Sequence, residues 1–499
     1  MDEITNTATF YLIPILLAAV LVYFLSKRSN LPGPFGLPIL GHLPFLGKNP
    51  HLTFSKWRRQ YGDVYQIRMG SWPSIVVNGV DLIKQSLTQA DDFSGRPGLF
   101  SGRNITGGKN ITFGRFDNSW IKHRKIASGV LYSFANARKN PVEEIIKQEV
   151  GTVVAMFKSK GDNCFDPEEI LLFAAASVIY QVCYGKSDHV EYDEEFKSLI
   201  TSSTDFNDFA NAGNPVDMMP WLRVFFSSKV NKFLNIIERV ERVRKQKVAE
   251  HKTTFDPNNL RDVADGLIAA VQSIPEVEMD ELGITEEQVL STLDNLFGAG
   301  FDTIASTLHW SLLLLASFPD VQEKLYQEIY DVTGNTRSPC LSDKSTMPYT
   351  EATCSEIMRF SCIFPLALPH CTTRTTRIGT YTIPEETLVF FNFHSLTHDK
   401  DTWGDPDAFR PSRFLGDDGQ IDKNMLSRLI PFSAGRRRCV AEFLARMEFF
   451  LLLTGIVQTC QIKLPTESVP DLEPVFQLSL KPKPFQIVVR ERDLGCKKE

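Results

Sequence analysis

Apolar residues are unevenly spread along the chain, and the densest run comes first. Ala8 to Leu25 reads ATFYLIPILLAAVLVYFL, eighteen residues without a charge. As a helix it would span about 27 Å at ~1.5 Å per residue, close to a thin bilayer core. A buried helix of a globular domain is rarely apolar on every face. A cleaved signal peptide carries a basic leading segment and a small-residue cleavage site. Here Asp2 and Glu3 precede the run, and Lys27 and Arg28 follow it. The pattern predicts one uncleaved transmembrane helix within residues 1–30, and the positive flank puts residues 31–499 on the cytosolic side. Leu31-Pro32-Gly33-Pro34-Phe35-Gly36-Leu37-Pro38 comes next. Its prolines fix φ and remove amide donors, so it reads as a stiff connector.

Beyond the connector, Val64–Met69 and Ile75–Asn78 show strand patterning around a Gly70-Ser71 turn. From about Ser119 to Arg359 the periodicity is mostly helical, with polar breaks near Lys252–Asp262 and Thr333–Met347. Strand patterning returns at Phe476–Leu480 and Phe485–Arg490, on either side of Lys481-Pro482-Lys483-Pro484. The predicted fold class is mainly α with small β-sheets. One helix is marked at both ends. Thr285-Glu286-Glu287-Gln288 is a capping box, Ile284 and Val289 form a hydrophobic staple, and Pro319 ends the pattern after Ser317. Its roughly 33 residues would extend about 48 Å. The centre holds Gly298-Ala299-Gly300-Phe301-Asp302-Thr303. Two interior glycines cost about 1 kcal/mol each relative to alanine. They point either to a flat ligand against the backbone or to a helix-packing notch.

Composition narrows the function. The chain has 499 residues, and no strong linker divides residues 31–499. The net charge of −6 speaks against nucleic-acid binding. Phe occurs 36 times against 12 Tyr and 6 Trp, enough to line a large apolar pocket or simply to fill an aromatic core. The nine Cys include no C-x-x-C pair, which suits a reducing compartment and excludes common Cys-rich zinc signatures. No G-x-G-x-x-G follows a strand, and Gly102–Lys109 only approaches a phosphate loop, so electrons for any redox chemistry must come from elsewhere.

The strongest chemical signal is Phe432-Ser433-Ala434-Gly435-Arg436-Arg437-Arg438-Cys439-Val440-Ala441 ahead of an amphipathic stretch from Glu442 to about Val457. A cysteine at a helix N-terminus behind three arginines is placed to ionise. A thiolate binds iron and donates electron density that helps break O–O bonds. From these residues alone, an inert buried cysteine and a redox-sensing thiol also remain open.

The F-x-x-G-x-R-x-C pattern before a helix resembles the haem-binding loop of cytochrome P-450 enzymes. Other motifs resemble the family in order: Trp120-Ile121-Lys122-His123-Arg124, Ala299-Gly300-Phe301-Asp302-Thr303, Glu356-Ile357-Met358-Arg359 and Phe409-Arg410-Pro411-Ser412-Arg413-Phe414. Within the superfamily the chain is similar to family 1, the aryl hydrocarbon hydroxylases, over about residues 31 to 490. Asp91-Asp92-Phe93-Ser94-Gly95-Arg96-Pro97, Gly213-Asn214-Pro215-Val216-Asp217 and Pro369-His370-Cys371-Thr372-Thr373-Arg374 are among the similar stretches. Ala441 stands where the family usually has Gly, and Ile304 where a small or hydroxylated residue is common.

The resemblance implies a cytochrome P-450 fold behind the anchor. It implies haem b on Cys439, with Trp120, Arg124, His370 and Arg437 at its propionates and Ala299 and Phe432 against it. Asp302 and Thr303 would be the acid–alcohol pair that delivers protons to bound oxygen. Glu356, Arg359 and Arg413 would form a structural triad. Phe113, Phe206, Phe297, Phe301, Phe364, Leu368 and Leu478 would contact a small apolar, planar aromatic or steroid-like substrate. Electrons would come from NADPH through a flavoprotein reductase docked on Lys122, Lys125, Arg436 and Arg438, with cytochrome b5 as a further candidate donor, at the endoplasmic reticulum membrane. The rival readings are a reductase-independent isomerase or dehydratase, a steroid 17-hydroxylase-like monooxygenase, and a non-catalytic haem carrier or sensor.

Overall fold

The structure, a computed structural model, describes residues 31–89, 91–135, 141–185, 196–197, 199–200, 206–207, 209, 213–466 and 468–492. The anchor expected within residues 1–30 lies outside them. No described helix is by itself long and apolar enough to cross a membrane. The principal helices are α1 (Pro50–Tyr61), α2 (Asn118–Ala135), α3 (Pro141–Ser159), α4 (Glu168–Tyr184), α5 (Ser227–Thr253), α6 (Val263–Gln272), α7 (Glu286–Leu290), α8 (Thr292–Ser317), α9 (Pro319–Thr333), α10 (Pro348–Ser361) and α11 (Glu442–Thr459). The strands are β1 (Val64–Met69), β2 (Trp72–Val77), β3 (His370–Cys371), β4 (Thr376–Ile378), β5 (Tyr381–Ile383), β6 (Leu388–Phe391), β7 (Cys460–Lys463), β8 (Val475–Phe476), β9 (Leu480–Lys481) and β10 (Val488–Glu491).

The largest sheet has the order β1-β2-β6-β3. Its β2–β6 pair is parallel, with Ser74 opposite Leu388, while β1–β2 and β3–β6 are antiparallel. A parallel pair needs a crossover, and here nearly all the helices lie between the two strands. The helical block packs its own core from α3, α4, α8, α9 and α11, around residues such as Val153, Val178, Leu308, Leu325 and Leu453.

The helix predicted over 285–317 is divided at Ser291. Its hydroxyl donates to the Gln288 carbonyl at 2.7 Å, a local bond that competes with the helical ladder. Only half of the predicted capping box forms. The Thr285 hydroxyl accepts from the Gln288 amide at 3.1 Å, but the Gln288 side chain reaches Ser119 instead. The strand predicted over Phe476–Leu480 is a small hairpin, β8 with β9. Its second arm is held from outside: the Leu480 amide donates to Ile363 at 2.8 Å. The two glycines of α8 divide the two readings between them. A Cβ at Gly300 would stand 2.8 Å from Cγ1 of Ile179 on α4, so Gly300 is a packing notch, while Gly298 has open space around it.

Glu356 and Arg359 on α10 are fully buried. Arg359 donates to both Glu356 oxygens at 2.7 and 2.9 Å, and Arg413 adds a bond at 3.0 Å. The remaining guanidinium donors reach carbonyls of Thr397, Trp403, Asp405 and Ala408. A buried network of this kind is stable only when every member is satisfied.

Candidate active site

The loop before α11 is shaped by backbone that only glycine tolerates at one point. Gly435 has φ +68°, and a Cβ there would fall on the Leu87 carbonyl. The Cys439 amide donates to the Phe432 carbonyl at 2.9 Å, closing the loop. The Ala441 amide points at the Cys439 sulfur, and Arg124 and Arg446 are the cations that favour its thiolate. The three loop arginines act elsewhere. Arg436 pairs with Asp91 at 2.8 Å, Arg437 runs into the protein, and Arg438 offers its carbonyl to Arg124. Cys439 is accessible but hemmed in by protein, and this desolvation outweighs the cations and pushes its thiol above the ordinary range. A metal binding here must therefore displace the proton.

Three arginines and a histidine meet beside the loop without an ion pair among the described residues. Arg437 donates to the carbonyls of Ser94, Ile111 and Gly114 and lies 3.9 Å over the Trp120 ring. The Trp120 indole donates to Ile111 at 2.9 Å. Arg96 reaches the carbonyls of Thr112, Leu368 and Pro369. His370 bonds the Phe93 carbonyl through Nδ1 at 2.6 Å. Among the described residues, none of Arg96, Arg124, His370 and Arg437 has a carboxylate partner. Burial and mutual repulsion hold Arg437 and His370 well below their ordinary values, and Arg96 falls to about 10. A guanidinium has five donors, so Arg96 and Arg437 keep N–H groups for an anion. Arg96 is not marked as a site residue by the sequence, because an arginine between Gly95 and Pro97 carries no periodic signal.

On the other side stands α8. The Thr303 hydroxyl donates to the Ala299 carbonyl at 3.0 Å. Thr303 and Phe364 line two spaces. The smaller, about 60 Å³, is closed by Ile304 and by Phe432 of the cysteine loop. The larger, about 160 Å³, gathers Phe297, Ala299 and Phe301 from α8 with Phe113, Phe206, Leu368 and Leu478. The Phe297 and Phe301 rings are 5.1 Å apart. Asp302 also borders the larger space, but its carboxylate is held by Lys481 of β9 at 2.8 Å, with Glu168 3.8 Å from the same ammonium. Sequence reading missed Lys481, which lies in a Lys-Pro-Lys-Pro segment that reads as a turn. Two expected docking cations are already paired, Lys122 with Glu278 and Arg436 with Asp91.

The cysteine loop meets α8 across a narrow slot between Phe432 and Thr303, and beside that loop the buried Arg96 and Arg437 keep spare donors and, among the described residues, no ion pair; a thiol and this donor set fit a metal porphyrin carrying two carboxylates. The cytochrome P450 family profile matches residues 31–489. Cytochrome P450 1A1 of Sparus aurata is 37% identical over 466 residues, covering 91% of this chain and 89% of that protein. Cytochrome P450 1A2 of Oryctolagus cuniculus is 38% identical over 465 residues, with the same coverage. The chain belongs to the cytochrome P450 family, on the family 1 side of it. It is a haem-thiolate monooxygenase that acts on apolar substrates, and its cofactor is haem b.

Proposed function

We propose that this enzyme oxidises flat, apolar, aromatic molecules at the endoplasmic reticulum membrane with electrons from an NADPH-dependent flavoprotein reductase. One observation carries the reading: Thr303 borders both the aromatic cavity and the slot against Phe432 of the cysteine loop. Ligand site and cofactor site thus share a wall. When bound, haem supplies the activation of oxygen and its transfer. The Cys439 sulfur is the iron ligand, with Phe432 holding its loop closed. Arg96, Arg124 and Arg437 would receive the propionates, to which Arg is suited by its rigid fork of donors; Trp120 and His370, whose N–H groups are taken by the carbonyls of Ile111 and Phe93, would position that edge, with the Trp120 ring under Arg437. Thr303 Oγ holds a proton on the ligand side, where Ala299 fixes its orientation, and Asp302 supplies the neighbouring carboxylate. Lys481 holds that carboxylate in place through its ion pair at 2.8 Å. Glu356, Arg359 and Arg413 secure the fold behind the site. The clustered aromatics exclude water and favour planar ligands.

Two exposed features support the setting. Phe35 (75% exposed), Ile39 and Phe45 lie near Trp221, Val224 and Phe225 (78% exposed). The two groups are joined at the β1–β2 turn, where Gly70 donates to Leu40 and Ser71 to Met218. Contiguous apolar patches of this kind mark membrane or protein contacts, and this one adjoins the segment that leads to the expected anchor. Near the cysteine loop, Lys125 and Arg438 are exposed cations without an ion pair among the described residues, suited to an acidic redox partner.

Cys439→Ser tests the ligand assignment. We expect loss of the reduced-CO Soret band of thiolate ligation, and its retention would reject the assignment. Thr303→Ala tests the proton role; haem stays bound and more peroxide is released per NADPH.

A further inference from the structure

Two carboxylates interrupt the apolar wall of the larger cavity, Glu241 of α5 and Asp294 of α8. Asp294 is 8% exposed and accepts from Nε of Arg244 at 2.7 Å, but its Oδ1 has no partner. Arg244 is shared, since its Nη2 donates to Glu287 at 2.6 Å. Glu241 makes no hydrogen bond or ion pair among the described residues. Two carboxylates therefore share one buried guanidinium, and Glu241 adds a third negative group that repels Asp294. The next cation, Lys245, is 58% exposed and 3.6 Å from Glu287. Burial and repulsion from Glu241 and Glu287 push the Asp294 carboxyl up to about 7, so this end of the cavity has more acidic groups than Arg244 compensates, while Ile236, Ile237 and Val240 in the same wall are apolar.

A carboxylate in an apolar wall is costly unless something compensates it. The fitting compensation is a cation on an apolar body. Distance sets the length of that body. Asp294 and Thr303 are nine residues apart on α8, about 13 Å at ~1.5 Å per residue.

We propose that the cavity selects an elongated, flat, apolar ligand with a protonated or quaternary amine, which docks against Glu241 and Asp294 and presents its far end to Thr303. This rests on the aromatic cavity being the substrate site.

The test uses the full-length, haem-loaded protein and Soret titrations with two probes of one shape. These are 1-methylpyrene and (pyren-1-ylmethyl)trimethylammonium, whose nitrogen cannot bind iron. The ammonium should bind roughly tenfold or more tightly than the hydrocarbon, the scale of one partly buried charge pair. Glu241→Gln should remove most of that preference and leave 1-methylpyrene unchanged, and Glu241→Lys should reverse it. Glu241 has no partner to lose, so both variants should fold. If 1-methylpyrene binds and the ammonium binds no better, the amine assignment fails and the aromatic cavity stands. A preference that survives both Glu241 variants and Asp294→Asn also overturns the assignment. If neither probe moves the Soret band, the aromatic cavity itself fails as the substrate site, and the amine site fails with it.

Discussion

Glu149 of α3 and Glu448 of α11 face each other in the helical core, at 6% and 2% exposure. Glu149 has a hydrogen bond from Ser177, while Oε1 of Glu448 has no partner. Burial pushes the Glu149 carboxyl up from 4.5 to about 7, and burial with repulsion from Glu149 pushes Glu448 well above its ordinary range. Both are therefore neutral in the folded protein at mildly acidic pH. Their folded values exceed their unfolded ones, so the folded state holds protons that the unfolded chain releases. Stability from this source is full below about pH 4.3 and is lost as pH rises through the folded values. For Glu149 the shift corresponds to about 3 kcal/mol. Glu149→Gln keeps the volume and removes the titration. Urea unfolding followed by tryptophan fluorescence at pH 6 and pH 9 should show the variant losing less stability than the parent, by about 1.4 kcal/mol, the part of the shift that falls between those two pH values. Glu149→Gln with Glu448→Gln should flatten the profile further. An identical pH dependence in parent and variants would refute the assignment of buried neutral acids.

Other perturbations read different parts of the molecule. Glu356→Gln strands two buried guanidinium groups and should cost about 3–5 kcal/mol, seen as a lower urea midpoint and lower haem content; a change under about 1 kcal/mol would reduce the network to an incidental contact. Lys481→Met should lower product formed per NADPH, with Lys481→Arg restoring it, since the ammonium orients the Asp302 carboxylate; unchanged coupling in the Met variant would remove that role. His51, His394 and His398 lie with ring centroids 4.9 and 4.1 Å apart, and burial lowers His51 to about 3 and His394 to about 4. These depressed values put their contribution at full strength above about pH 6.5 and make it fall away toward pH 3–4, so His394→Gln should unfold at lower pH than the parent in an acid titration.

Local patterning made much of the architecture legible. The β1 span, the helix from Thr292 to Ser317 and the start of α11 at Glu442 each follow from periodicity or from a terminal signal within a few residues. Hairpins formed by outside contacts were not legible. Leu480 and Lys481 form β9 because Ile363 and Asp302 hold them, and both partners lie far away in the chain. Asn104-Ile105-Thr106 and Asn110-Ile111-Thr112 match the pattern for N-glycosylation, and a local pattern cannot report burial. Asn110 is fully buried and donates to Ile105, which closes it to modification in the folded chain whatever its compartment.

The sequence by itself determined the order of the motifs and the local shape of the loop that carries Cys439, because Gly435 and Thr303 act through backbone shape and local bonds. Tertiary structure decided the charges. Three loop arginines beside Cys439 look like its activators in one dimension. In space one of them is paired with Asp91 and another is buried among carbonyls, while Arg124 and Arg446 approach the sulfur from elsewhere. Electrostatic energy depends on distance and desolvation, and neither is fixed until the chain has folded.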